Sequence, residues 1–185
     1  MAIKGASVVH MVALCICITA FVMNFVCVFI PNWMHGLVVG RDVYFGVWQF
    51  CEVQLGIGNR YACKSLLNIS VGVLFSSDWI QAVQAMMAMG VITSLVGVIL
   101  HLLYITKATC KTRPVAICGC AANLATGVFS LIGISIYAAE MKQGHNFYGY
   151  QWYSPAFYFE WVAILFYVIG VILDIICLRK RESPA

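Results

Sequence analysis

The stretch "VYFGVWQFCEVQLGIGNRYACKSLLNIS", residues 43–70, stands apart from everything around it. It holds Trp48, Cys51, Cys63, charges of both signs and the triplet Asn68-Ile69-Ser70, an N-glycosylation acceptor by its Asn-x-Ser form. On either side the chain turns to long apolar runs. A segment able to form a disulfide and carry a sugar suits an oxidising compartment, whereas the runs suit lipid.

The 185 residues are 63% hydrophobic and 10% charged, with a mean hydropathy of +0.92. Soluble domains are about half apolar and about a quarter charged, so the composition points to a membrane. The first run, Val8 to Ile30, would be roughly 34 Å long as a helix at about 1.5 Å per residue. That exceeds a hydrocarbon core of about 30 Å. Three more runs follow, at about Val83–Ile105, Val115–Ala139 and Ala156–Leu178. Spanning segments must be helices or a closed barrel, and runs without period-two alternation favour helices. The first run is too long for a signal-peptide core and lacks a small-x-small site, so it is expected to stay as a span.

Lys4, Lys107, Lys111, Arg113, Arg179, Lys180 and Arg181 all fall on one side of such a four-span chain, which makes that side cytoplasmic. Both termini are then cytoplasmic, and the loops 31–82 and 140–155 face outward. The net charge of +4 sits mostly at cytoplasmic helix ends, where it meets anionic lipid and not nucleic acid. No internal repeat or linker divides the chain, so residues 1–185 are expected to form one domain.

Of nine cysteines, only Cys51 and Cys63 lie on the outward side, which leaves one obvious disulfide. Opposing them centres a hairpin on Ile57, between Gly56 and Gly58, and glycine supplies the positive φ of tight hairpin loops. Val47, Gln49, Cys51 and Val53 would share one face of the strand; Gly46, Trp48, Phe50 and Glu52 would share the other. Trp33, just past Pro31, reads as an indole at the membrane interface. Trp48 reads as leaning onto the bilayer or the helix bundle.

The order Trp33, Gly46-Val47-Trp48, Cys51, Cys63 between spans one and two resembles the signature of the claudin superfamily: a tryptophan, Gly-Leu-Trp and two cysteines. That superfamily holds claudins, peripheral myelin and epithelial membrane proteins, a lens fibre membrane protein, and auxiliary subunits of calcium channels and AMPA receptors. The resemblance covers the whole chain. It implies a membrane all-α four-helix bundle with a small extracellular antiparallel β-sheet built mainly from the first loop. Val47 stands where leucine is usual, and the spacing between the cysteines slightly exceeds that of claudins. "WIQAVQAMM", residues 79–87, is similar to the start of span two in myelin and epithelial membrane proteins; claudins tend to carry arginine at the place of Gln84. "FYFEW", residues 157–161, resembles the aromatic start of span four in the myelin, lens and channel-subunit branches. The C-terminal "RESPA" lacks the tyrosine-valine ending of many claudins, so a PDZ scaffold is not an expected partner.

Within the spans, Gly90, Ser94, Gly119, Ala122, Thr126, Gly127, Ser130 and Gly133 read as close-packing positions. Asn24 and Asn123 read as hydrogen bonds between helices. Cys15/Cys17 and Cys118/Cys120 point to different faces one residue apart, and read as packing residues and not as a metal site. An intramembrane acid is a functional candidate by default. Asp174, near Arg179 and Lys180, and Glu160, near the outer edge, read instead as residues that snorkel to an interface. Cys110 and Cys177 lie where juxtamembrane palmitoylation occurs, and are similar in position to such cysteines of claudins.

The sequence lacks H-E-x-x-H, P-loop and G-x-S-x-G motifs, and His10, His35, His101 and His145 are scattered. A non-enzymatic protein without cofactor or metal is expected. The resemblance implies a plasma-membrane protein at cell–cell contacts, associating with itself or related tetraspan proteins in cis and in trans. If it lines a paracellular pore, Arg60 and Lys64 would favour anions. The alternatives are an auxiliary subunit of an ion channel or receptor, and a myelin- or epithelial-type membrane organiser.

Overall fold

The computed structural model describes residues 8–38, 41–54, 60–66, 77–106, 113–143 and 151–182. Four helices carry the apolar runs: α1 (Val8–Phe29), α2 (Ser77–Thr106), α3 (Arg113–Gln143) and α4 (Pro155–Glu182). Each is long and apolar enough to cross a membrane, with mean hydropathy between 1.9 and 2.6 over its most apolar stretch. Their outward surfaces are apolar, with Val22, Ile92, Leu124 and Leu165 among the exposed side chains. In water that surface would aggregate; in lipid it is the solvent-facing side. α1 packs chiefly on α4 and α2 on α3, while the α3–α4 and α1–α2 contacts close the ring.

Between α1 and α2 lie four short strands: β1 (Met34–Val38), β2 (Arg41–Phe45), β3 (Gln49–Gln54) and β4 (Arg60–Ser65). A fifth, β5 (Gln151–Tyr153), comes from the connection between α3 and α4. They form one antiparallel sheet in the order β4-β3-β2-β1-β5. The sheet is therefore mainly a product of the first loop, closed on one side by the second.

The helices overrun the expected spans. α2 begins at Ser77 and α3 continues to Gln143, and these outer turns carry the sheet. Strand alternation gives the sheet two faces. Met34, Val43 and Phe45 point to the bundle and merge with Val28, Val83, Met87, Ile134, Tyr137 and Phe157 in one apolar cluster. α4 begins with Ser154-Pro155, the residue types favoured at an N-cap and at the first helical position.

Candidate functional site: the outer sheet and the polar core beneath it

The residues 33 and 46–48 turn out to be the joint between sheet and bundle. Trp33 is fully buried, and its indole Nε1 donates to the Cys27 carbonyl at 2.6 Å, near the end of α1. Carbonyls at a helix end lack partners within the helix, so this bond terminates α1. The ring meets Tyr137 and Phe157 edge-on, at 5.1 and 6.2 Å between centroids. Trp33's own backbone ties in both neighbours: its N–H donates to Phe45 and its carbonyl accepts from Ser154. The expected lipid-interface indole is thus a core hub, because the sheet covers the place where headgroups would otherwise be.

Gly46 shows why glycine stands in the motif. A Cβ there would lie 2.6 Å from Pro31 Cα and 3.0 Å from the Ile30 carbonyl oxygen, so only a bare backbone can pass. Val47 is fully buried, and its carbonyl accepts from Gln84 Nε2 at 3.0 Å. Gln84 therefore pins the turn before β3 to the outer end of α2. Trp48 is half-buried and stacks on Phe29 of α1 at 6.4 Å.

Cys51 and Cys63 oppose each other in the β3–β4 register and are joined by a disulfide. One row of cross-strand partners runs across all five strands: Trp152, His35, Tyr44, Cys51, Cys63. His35 stacks between Tyr44 (4.8 Å) and Trp152 (5.6 Å), and its Nε2 lies 3.1 Å from Asp42 Oδ1. Trp152 and Leu37 stay exposed. Arg41 pairs with Glu52 across the strands. On the other face, Tyr153 stacks on Phe157 at 4.2 Å, and burial raises its hydroxyl above the ordinary phenol range. Lys64 is exposed on β4, the edge strand, and Arg60 opens that strand. The expected hairpin tip 56–59, Asn68 and Cys110 lie outside the described residues. Cys177 is half-buried near the end of α4.

The spans hold a second arrangement, which emerges only when the four helices are seen together. Most buried polar residues of the helices, all but Gln84 and Thr126, recur every seven positions. They are His10, Cys17 and Asn24 on α1, and Ser94 and His101 on α2. On α3 they are Asn123 and Ser130, followed by Tyr137; on α4 they are Glu160, Tyr167 and Asp174. A repeat of seven keeps one seam facing the partner helices. The seams meet in layers. Nearest the sheet, Asn24 Nδ2 donates to Ser130 Oγ at 2.8 Å and to Glu160 Oε1 at 3.0 Å. In the middle, Ser94 pairs with Tyr167, and Asn123 Nδ2 reaches Cys17 Sγ at 3.2 Å. Farthest from the sheet, His101 Nε2 lies 2.8 Å from Asp174 Oδ2.

The snorkelling expected of Glu160 and Asp174 is therefore corrected. They are 0% and 2% exposed and point inward. Glu160 lies under the sheet and not at a headgroup surface, and Asp174 turns from Arg179 to the histidines of α1 and α2. Asn24 and Asn123 do bond between helices, as expected. Cys17 is buried while Cys15 is exposed, in keeping with neighbours on different faces. The signal that would have revealed the layers is the common seven-residue spacing, visible only when the polar positions of all four spans are compared.

Comparison with known proteins agrees with this architecture. The model of the PMP-22/EMP/MP20/Claudin family matches residues 7–173, nearly the whole chain. A curated protein of Danio rerio, "p53 apoptosis effector related to PMP-22", is 29% identical over 143 residues, covering 76% of this chain and 68% of that protein. With four long apolar helices under a disulfide-joined outer sheet, this multi-pass membrane protein belongs to the PMP-22/EMP/MP20/Claudin family.

Proposed function

We propose that the chain is a non-enzymatic, claudin-like contact protein of the plasma membrane, a single domain with both termini cytoplasmic. The sheet faces outward and associates with copies of itself or with related tetraspan proteins. The observation that carries this reading is a disulfide-joined sheet, anchored through Trp33, Gly46 and Val47, whose edge strand β4 and outer residues Trp152 and Leu37 are exposed. The terminal strand of a sheet offers backbone donors and acceptors to another chain. A joined sheet meets a partner with less ordering cost than a loose loop. Arg60 and Lys64 on that edge would bias a paracellular path toward anions. Asn68 is proposed as a glycosylation site, and Cys110 and Cys177 as palmitoylation sites.

The test is imaging of the tagged chain in contacting epithelial cells, beside the Cys51→Ser/Cys63→Ser variant, with monolayer resistance measured in parallel. Enrichment at contacts that is lost in the variant supports the reading. Diffuse surface staining, with a channel co-purifying in mild detergent, would favour the auxiliary-subunit alternative. A role in apoptosis, which the name of the Danio rerio relative carries, rests on 29% identity. It is tested by cell viability after induced expression, and unchanged viability removes it.

A further inference from the structure

The innermost polar layer differs from the two above it in chemistry. It gathers His10, His101 and Asp174 from three helices, all buried. His101 Nδ1 lies 2.8 Å from the Gly97 carbonyl oxygen. A carbonyl only accepts, so Nδ1 carries the hydrogen. Nε2, 2.8 Å from Asp174 Oδ2, then shares a single proton with the carboxyl. Imidazolium with carboxylate, or imidazole with carboxylic acid, the pair is neutral either way. The other carboxyl oxygen, Oδ1, has no hydrogen bond among the described residues and lies 3.8 Å from His10 Nδ1. The His10 ring stacks on His101 at 5.8 Å and meets Tyr104 at 4.7 Å. α3 adds Gly119, whose missing side chain leaves room for the His101 ring, since a Cβ would sit 2.9 Å from its Cε1.

The geometry points to a proton-binding site in this layer, with His10 as the group that takes up the proton and Asp174 Oδ1 as its acceptor. His10 is the third residue of α1, at the end of the bundle away from the sheet, where both termini emerge. A proton from solvent on that side adds to the neutral His10 ring, and Nδ1–H then donates to Oδ1. The layer goes from net zero to one positive charge. The 3.8 Å gap closes toward the roughly 2.8 Å of a charge-assisted bond, drawing α1 onto α4. This is independent of any role in cell contact.

The test uses the full chain in lipid nanodiscs. Proton uptake between about pH 8 and about pH 5, the range in which histidine changes charge, is measured for the wild type, His10→Gln and Asp174→Asn. His10→Gln is expected to take up one proton fewer per chain than the wild type, and in Asp174→Asn the His10 ring, followed by nitrogen NMR, is expected to stay neutral over that range. If His10→Gln matches the wild type, or His10 still changes state in Asp174→Asn, the site is rejected. Nitrogen NMR of the histidine rings in the unmutated protein gives a second reading that needs no variant to fold. His101 Nδ1 should stay protonated throughout while one buried ring, His10, changes state. A His101 ring with bare Nδ1, or no buried ring that changes, overturns the proposal.

Discussion

At the scale of residues, Gly46 shows how one missing methyl group can set the seat of a whole sheet. With Pro31 Cα at 2.6 Å from any added Cβ, Gly46→Ala must push backbone against backbone. Overpacking of this kind costs about 1–3 kcal/mol. Thermal unfolding in detergent should show the loss, and an unchanged midpoint would mean that the close approach is not real. The Asn24–Glu160 bond makes a second prediction. Asn24→Leu removes the amide donor to the buried Glu160 Oε1 and to Ser130 Oγ and should cost about 1–3 kcal/mol. Changing both to leucine should recover much of that cost, because two apolar partners in place of a buried polar pair can be nearly neutral. Strictly additive losses in the double-mutant cycle would show that the two do not interact.

At the scale of elements, the helices and the β3–β4 pairing were legible in the residues, while the rest of the sheet was expected only through the family resemblance and without its individual strands. Continuous apolar runs longer than the bilayer leave the backbone only itself to bond with, so span identity is written locally. The register of β3 and β4 could be found from Cys51 and Cys63 because a disulfide fixes one pair and the strand period fixes the others. β1, β2 and β5 are three to five residues long; β1 and β2 pair locally, two residues apart, while β5 joins β1 from more than 110 residues away, across the seat around Trp33. Nothing local announces that Met34–Val38 and Gln151–Tyr153 will pair with each other, whereas Gly40 between β1 and β2 is an unread hairpin signal. The same dependence on tertiary context hides the place of Glu160. Measured along the span it is near an end, yet in the fold that end has a roof. Replacing Cys51 and Cys63 by serine should cost about 2–4 kcal/mol. Hydrogen exchange should rise in β3 and β4 first, with α1 to α4 protected as before. Equal loosening of the helices would contradict the view that the disulfide acts on the sheet alone.

At the scale of the whole molecule, two kinds of order hold the chain together. Between sheet and helix ends it is apolar packing around Trp33, Tyr137 and Phe157. Along the bundle, where lipid removes the hydrophobic drive for helices to associate, it is close approach of small residues and layers of polar pairs. The seven-residue spacing of those pairs fixes which face of each helix turns inward, and so how the four outer ends converge to carry the sheet. The consequence on the far face of the sheet is the row Trp152, His35, Tyr44 and the disulfide, of which Trp152 and Cys63 are exposed, His35 and Tyr44 half-buried and Cys51 buried. Trp152→Ala removes the largest exposed ring of that row and should reduce enrichment at cell contacts several-fold while leaving surface abundance unchanged. Full enrichment of the variant would move the contact surface elsewhere.

A four-span bundle of this kind is proposed to present its disulfide-joined sheet to the cell exterior. The most direct measurement is impermeant-maleimide labelling of intact cells carrying Trp152→Cys, with a tag at each terminus and with mass spectrometry of the unreduced protein. Residue 152 should label from outside, both tags should be reached only after permeabilisation, and the peptides of Cys51 and Cys63 should remain linked. A tag reached on intact cells, or residues 51 and 63 found as free thiols, would contradict it.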